Sequence, residues 1–129
     1  MRDNTLAQTQ DEFAKSETVL MRSLVKSPDG CKQATKWAVA SDKSVVARAA
    51  YEDMTTDIRP ELHKIKIPVT MLYPWDALSG FPQAATDRLY QENYADLPGI
   101  KIIRVDDSFH FIMLDQPKKF ADEVDKFLK

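Results

Sequence analysis

Apolar residues in the first part of the chain recur at helical spacing. Thr9-Gln10-Asp11-Glu12 has the spacing of a capping box, in which the first and fourth residues cap the start of a helix reciprocally. The apolar positions that follow, at intervals of roughly one helical turn, are Phe13, Val19, Leu20 and Leu24. The pattern predicts a helix that ends before Ser27-Pro28-Asp29-Gly30, where we expect a turn.

The next part of the chain predicts further helices. One would carry Ala34, Trp37 and Ala38, and another would begin near Ser41 and present one apolar face. That face comprises Val45, Val46, Ala49, Ala50 and Met54. No strand signal occurs before position 58, so residues 1–57 are predicted to form a helical segment.

The pattern changes in the second half, where two short apolar runs flank a helical stretch. Residues 68–73 and 100–105 are typical of buried parallel strands. After a loop at 74–81, Pro82 opens a helix that Leu97-Pro98-Gly99 closes. A crossover of this length predicts a βαβ unit with parallel strands and a right-handed connection.

A last helix completes the predicted fold. Its apolar face comprises Phe120, Val124, Phe127 and Leu128 and is expected to cover the sheet. The fold class is therefore α/β, with a helical segment at residues 1–57 and a βαβ core with its C-terminal helix at residues 58–129. No apolar run approaches the roughly 18 residues of a membrane span, and the N-terminus lacks a signal-peptide pattern, so we expect a cytoplasmic protein.

Charge and cysteine content exclude several function classes. The formal charge is −2, from 18 basic and 20 acidic side chains that are well mixed, so we expect no nucleic-acid partner. Cys31 is the one cysteine, which excludes an intrachain disulfide, and we interpret it as a small filler on a helix. No glycine-rich phosphate loop occurs, and His63 and His110 lack metal-site spacing, so no cofactor and no metal are expected. His63 is predicted to be exposed on a short connecting helix.

Candidate chemistry lies where the two predicted strands end. The loop after the first strand contains Asp76, and the loop after the second contains His110. Carboxyl ends of parallel strands share one sheet edge, so this acid and this histidine are brought to the same side. A carboxylate can accept the Nδ1 proton of an imidazole and stabilise the imidazolium formed when Nε2 takes a proton. The residues alone leave open that Asp76 is an ordinary loop aspartate and His110 a packed side chain.

The second half also resembles a known family. Ile67-Pro68-Val69-Thr70-Met71-Leu72-Tyr73 followed by Asp76, then the residues from Val105 to His110, then Leu114-Asp115-Gln116-Pro117-Lys118-Lys119-Phe120, resemble the C-terminal part of α/β-hydrolases. The resemblance runs from about Asp57 to the C-terminus. It implies that Asp76 is the acid of a catalytic triad and His110 its general base, and that residues 1–57 form a lid, or cap.

The other polar residues of the histidine loop are not expected to be catalytic. Asp106 and Asp107 are expected to be solvated or turn-forming, and Ser108 a loop hydroxyl. Phe109 stands where the family usually has a glycine, which narrows the space near His110.

The family's nucleophile has no counterpart in this sequence. The glycines are Gly30, Gly80 and Gly99, and none belongs to a Gly-x-Ser-x-Gly elbow, so the nucleophile elbow and oxyanion hole are absent from this chain. Three hypotheses follow: a hydrolase of small esters, amides or related carbonyl substrates; a catalytically inactive fragment that oligomerises or binds a partner; and a split enzyme. Exposed strand edges predict a homo-oligomer or a second chain that supplies the missing core.

Overall fold

The N-terminal part of the protein is helical in the computed structural model, which describes residues 2–129. Its helices are α1 (Arg2–Ala7), α2 (Gln10–Leu24), α3 (Pro28–Ala40) and α4 (Lys43–Thr55). Helix α2 packs against α3, and α1 packs against α4. The buried apolar side chains are Phe13, Met21, Val25, Ala34 and Ala47. These elements form one compact unit that ends at Asp57, and Ile58–Lys129 form a second.

The start of α2 confirms the predicted capping box. The Thr9 hydroxyl accepts a hydrogen bond from the Glu12 backbone N–H at 3.3 Å, and the Glu12 carboxylate accepts one from the Thr9 N–H at 2.8 Å. Both bonds satisfy backbone donors that have no partner inside the helix.

The turn predicted at Ser27-Pro28-Asp29-Gly30 was wrong, because these residues begin α3. Ser27 is the N-cap and Pro28 occupies the first turn, where the missing N–H of proline costs no helical hydrogen bond. Cys31 lies half-buried on this helix. The short helix α1 was not anticipated.

The apolar face predicted for α4 was also wrong. Val45 is 63% exposed and Met54 is 71% exposed, whereas Ala47 is buried. Apolar residues occur around most of the circumference of this helix, so the sequence pattern could not select one face.

The C-terminal unit contains the sheet. In chain order its elements are a 3-10 helix at Arg59–Lys64, β1 (Thr70–Trp75), a 3-10 helix at Ala77–Ser79, α5 (Gln83–Asn93), β2 (Lys101–Asp106), α6 (Ile112–Asp115) and α7 (Pro117–Phe127). Strands β1 and β2 pair in parallel, in a register from Thr70 opposite Lys101 to Trp75 opposite Asp106. The predicted parallel strands and the helix between them are observed, and the described residues are mostly helical with a small two-stranded parallel sheet.

Strand β1 begins and ends two residues later than predicted, and it includes Pro74. The Val69 carbonyl accepts from the Lys101 N–H at 3.0 Å, and the Trp75 carbonyl accepts from the Ser108 N–H at 3.4 Å. Backbone polar groups alternate sides along a strand, so Pro74 directs its nitrogen away from β2. Its missing N–H therefore costs no ladder bond, which is the condition for proline inside a strand.

Helices lie on both faces of this sheet. On one face the Tyr73 ring stacks on Tyr90 of α5, with 4.3 Å between ring centroids. On the other face α6 contacts β1. The predicted covering by the C-terminal helix is incomplete, because Val124 is 37% and Phe127 51% exposed, and Leu128 falls after the last residue of α7. No helix within residues 2–129 has the length and apolar character needed to cross a membrane.

Candidate active site

Asp76 directly follows the last residue of β1 and is held in a fixed position. Its side chain is buried, and the residue is 2% exposed. The carboxylate accepts a hydrogen bond from the Leu78 backbone N–H at 2.8 Å and so caps the 3-10 helix at Ala77–Ser79. Gly80 ends that helix in the left-handed conformation, at φ 77°, which glycine adopts without steric cost.

His110 lies in the loop between β2 and α6, and it is exposed. Its ring packs edge-on against Phe111, with 5.3 Å between ring centroids, and its carbonyl accepts from the Ile112 N–H at 3.1 Å. The backbone of His110 is thus anchored while the imidazole remains accessible to a reacting group. His63, the other histidine, is exposed on the 3-10 helix Arg59–Lys64, as predicted.

Hydrogen bonds hold the histidine loop in shape. The Phe109 N–H donates to the Asp115 carboxylate at 2.8 Å, and the Gln116 amide donates to the Asp107 carbonyl at 3.0 Å. Asp107 has a φ of 57°, a conformation that aspartate tolerates better than most residues. These hydrogen bonds connect the histidine loop to α6 and to the start of α7.

The acid loop and the histidine loop meet at one edge of the sheet. The bond from the Ser108 N–H to the Trp75 carbonyl joins the residue before Asp76 to a residue two positions before His110. This is the proximity expected at the carboxyl ends of adjacent parallel strands.

Other candidate side chains of the histidine loop have structural partners. Ser108 is 1% exposed, and its hydroxyl donates to the Phe109 carbonyl at 2.9 Å. Asp106 pairs with Arg104 at 2.6 Å. Buried and hydrogen-bonded to the backbone, the Ser108 hydroxyl is placed as a structural group and not as an exposed nucleophile.

His110 opens onto an apolar groove of about 350 Å³. The groove lies between β1, α6 and α7, and its other lining residues are Thr70, Leu72, Ile112, Met113, Phe120, Glu123, Val124 and Phe127. Asp76 is not among the lining residues, so the imidazole alone of the proposed pair faces this space.

Glu123 is a charged group on this groove that the sequence analysis missed. It is 5% exposed, and its carboxylate accepts from Lys126 at 2.8 Å and from Lys119 at 2.9 Å. These hydrogen bonds, the one from Lys126 foremost, lower the pKa of Glu123 to about 2. The only sequence signal was the spacing of the lysines, three and four positions away on one helix.

A second polar network was also missed, on the opposite face of the sheet. Asp87 of α5 accepts from the Tyr73 hydroxyl at 2.8 Å and from the Arg104 guanidinium at 2.7 Å. Burial and the Asp87 bond raise the pKa of Tyr73 to about 12. Asp87 therefore links α5 by hydrogen bonds to both strands, and the Asp76 and His110 loops follow the carboxyl ends of these strands.

Among residues 2–129, no group of three or more His, Cys, Asp or Glu side chains is arranged to hold a metal ion.

No protein-family profile and no curated protein sequence matches this chain. Among solved structures, it is similar to the enol-lactonase from Burkholderia xenovorans, with a TM-score of 0.78 and 18% sequence identity. The fold is that of part of an α/β-hydrolase. The similarity covers 98% of this chain but 48% of the enol-lactonase, so the chain spans about half the length of that protein.

Proposed function

We propose that this chain carries the acid and base of a hydrolase active site, with His110 as general base oriented by Asp76. The observation that carries the proposal is the hydrogen bond from Ser108 to Trp75, which joins the two loops at one sheet edge. It is supported by the burial of Asp76 and the exposure of His110. Acid–base catalysis of this type uses a buried carboxylate to orient an accessible imidazole, so the burial of Asp76 and the exposure of His110 suit the proposed roles.

The proposed chemistry is hydrolysis of a small ester, amide or related carbonyl compound. His110 removes a proton from the attacking group through Nε2 and returns it to the leaving group, while Asp76 stabilises the imidazolium formed between these steps. The attacking group and the oxyanion donors come from outside this sequence, because it contains no nucleophile elbow. In a complete site, residues 1–57 act as the cap.

Cyclic esters are the substrates to test first. The similar solved structure is an enol-lactonase, and a lactone carries the ester carbonyl that this chemistry attacks. The groove beside His110 is lined mainly by apolar side chains, so it favours a substrate with an apolar body.

A catalytically inactive module that oligomerises or binds a partner is the second candidate function. Two observations favour this candidate function. Val124 and Phe127 are exposed apolar side chains, and a two-stranded sheet leaves backbone N–H and C=O groups at its edges without strand partners.

The test of the first proposal is hydrolysis of p-nitrophenyl acetate and of a small enol-lactone by the purified chain and its histidine variants. General-base catalysis contributes about 10²–10⁴-fold in complete sites, so we expect His110→Ala to slow ester hydrolysis by about tenfold or more. His63→Ala is the matched control, because it removes the other exposed histidine and is expected to leave the rate unchanged. Equal rates above the uncatalysed background for the unmodified chain and His110→Ala would refute a base role for His110. No hydrolysis by either protein would assign the chain to an inactive module or to an enzyme whose attacking group comes from a second chain.

A further inference from the structure

Asp115, the last residue of α6, binds the backbone on both sides of His110. Its carboxylate accepts a hydrogen bond from the Phe109 N–H at 2.8 Å, and its own N–H donates to the Phe111 carbonyl at 3.1 Å. The carbonyl of His110 itself accepts from the Ile112 N–H at 3.1 Å. Residues 109–111, with His110 at their centre, are therefore all bonded to the short helix α6.

The reach of the Asp115 carboxylate distinguishes this arrangement from ordinary helix capping. A capping side chain binds backbone N–H groups at the N-cap or in the first turn of the helix. The N-cap of α6 is Phe111, whereas Asp115 bonds to Phe109, two positions earlier in the chain. The bond therefore closes a loop, residues 109–115, that contains His110. Because its acceptor is a carboxylate, it is also stronger than a bond between neutral groups.

The side chain of Phe111 extends this anchoring to the imidazole. The Phe111 ring lies edge-on to the His110 ring, with 5.3 Å between ring centroids and 85° between ring planes. Aromatic rings attract each other in this T-shaped arrangement. His110 is exposed, and surrounding water imposes no single orientation on a ring. The backbone that Asp115 holds therefore also fixes the ring that packs against the imidazole.

We propose that Asp115 is a positioning residue for His110 and holds the imidazole where it can transfer a proton. This inference rests on the proposed role of His110 as general base. A base must come within about 2.6–3.2 Å of the group whose proton it takes, so a small displacement of the imidazole slows the reaction. Asp115 acts through Phe109 and Phe111, and it does not itself transfer a proton.

Nuclear magnetic resonance of the full chain tests this role without relying on activity. Asp115→Ala removes the acceptor, so hydrogen exchange at the Phe109 amide is expected to accelerate by about tenfold or more. At constant pH the imidazole proton signals of His110 are expected to shift, because the Phe111 ring moves relative to them. His63, the other histidine, serves as the internal reference, and its signals should not move.

Two further variants separate positioning from a general loss of charge. Asp115→Asn keeps an oxygen acceptor in the same place, so it is expected to restore the protection of the Phe109 amide and the His110 signals. Asp122→Ala is the matched control, because it also removes a hydrogen-bonded carboxylate. The partner of Asp122 is Lys118 on the same helix, α7, so the histidine loop should not respond.

Hydrolysis of p-nitrophenyl acetate measures the consequence for catalysis. Asp115→Ala is expected to lower kcat by about tenfold or more and to leave KM unchanged, because orientation affects the reacting step more than binding. Asp115→Asn is expected to recover most of kcat. If no protein of the series hydrolyses the ester, the proposed function fails, and the resonance comparison alone decides whether Asp115 positions the imidazole.

Three results would overturn the proposal. They are unchanged Phe109 exchange and His110 signals in Asp115→Ala, changes as large in Asp115→Asn as in Asp115→Ala, and an equal response of His110 to Asp122→Ala. If Asp115→Ala fails to fold, Asp115→Glu takes its place, because it moves the carboxylate by one methylene group. The same changes are then expected at smaller size, and their absence would equally overturn the proposal.

Discussion

At the scale of a single residue, Glu123 is a buried carboxylate that two lysines stabilise in its charged form. Glu123 lines the groove with Phe120 and Phe127, and lysines one helical turn away on each side pair with its carboxylate and keep it charged. A buried carboxylate without such partners would have a raised pKa, whereas the pKa of Glu123 is lowered. Its charge therefore contributes to the stability of the folded chain.

The pH dependence of stability follows from that pKa. Because the pKa of Glu123 is about 2 in the folded chain and 4.5 ordinarily, its contribution is complete above about pH 4.5 and is lost as pH falls toward 2. We expect Glu123→Gln to lower the melting temperature at pH 7, and the difference from the unmodified chain to shrink below pH 4. Asp125→Asn, an exposed change on the same helix, is the control. A difference for Glu123→Gln that does not change with pH would show that the lysine bonds do not set its pKa.

At the scale of elements, the Asp87 carboxylate connects α5 to the sheet through hydrogen bonds. Asp87 receives hydrogen bonds from Tyr73 of β1 and Arg104 of β2, which are opposite each other in the register. The Arg104 side chain is 26% exposed, so its pairing with Asp87 is partly shielded from solvent.

Removing that carboxylate is expected to loosen α5 from both strands. Hydrogen bonds to charged groups contribute about 1.5–3 kcal/mol when shielded, and partial exposure reduces this, so Asp87→Ala should lower the free energy of unfolding by about 1–2 kcal/mol. Urea denaturation measures the change, with exposed Asp96→Ala as the control. Equal stability of the two variants would contradict a fastening role for Asp87.

The sequence predicted the elements of the C-terminal unit better than their exact bounds. The apolar runs identified both strands, because buried parallel strands have few polar positions. The start and end of β1 escaped prediction, since the cost of Pro74 depends on whether its nitrogen faces β2, and the sequence does not show that direction. The helix α6, Ile112–Asp115, was missed because four residues are too few to display a helical period.

At the scale of the whole molecule, the chain is similar to about half of a larger known fold, and its described residues are mostly helical with one two-stranded parallel sheet. The sequence indicated the loops of Asp76 and His110 because topology fixes which loops share an edge. It could not indicate the groove beside His110, since the groove depends on how far α7 covers β1. It also gave no sign that Glu123 would be buried there.

The central claim is that Asp76 and His110 act as one unit, and a double-mutant cycle on ester hydrolysis tests it most directly. Asp76→Asn retains an oxygen that can accept from the Leu78 N–H, so thermal unfolding can confirm that the loop is preserved. If Asp76 acts through His110, the double variant should hydrolyse p-nitrophenyl acetate as slowly as His110→Ala alone, because residues that act together are non-additive. If the two substitutions instead multiply their effects, or Asp76→Asn leaves the rate unchanged, Asp76 does not orient His110 and the account is contradicted.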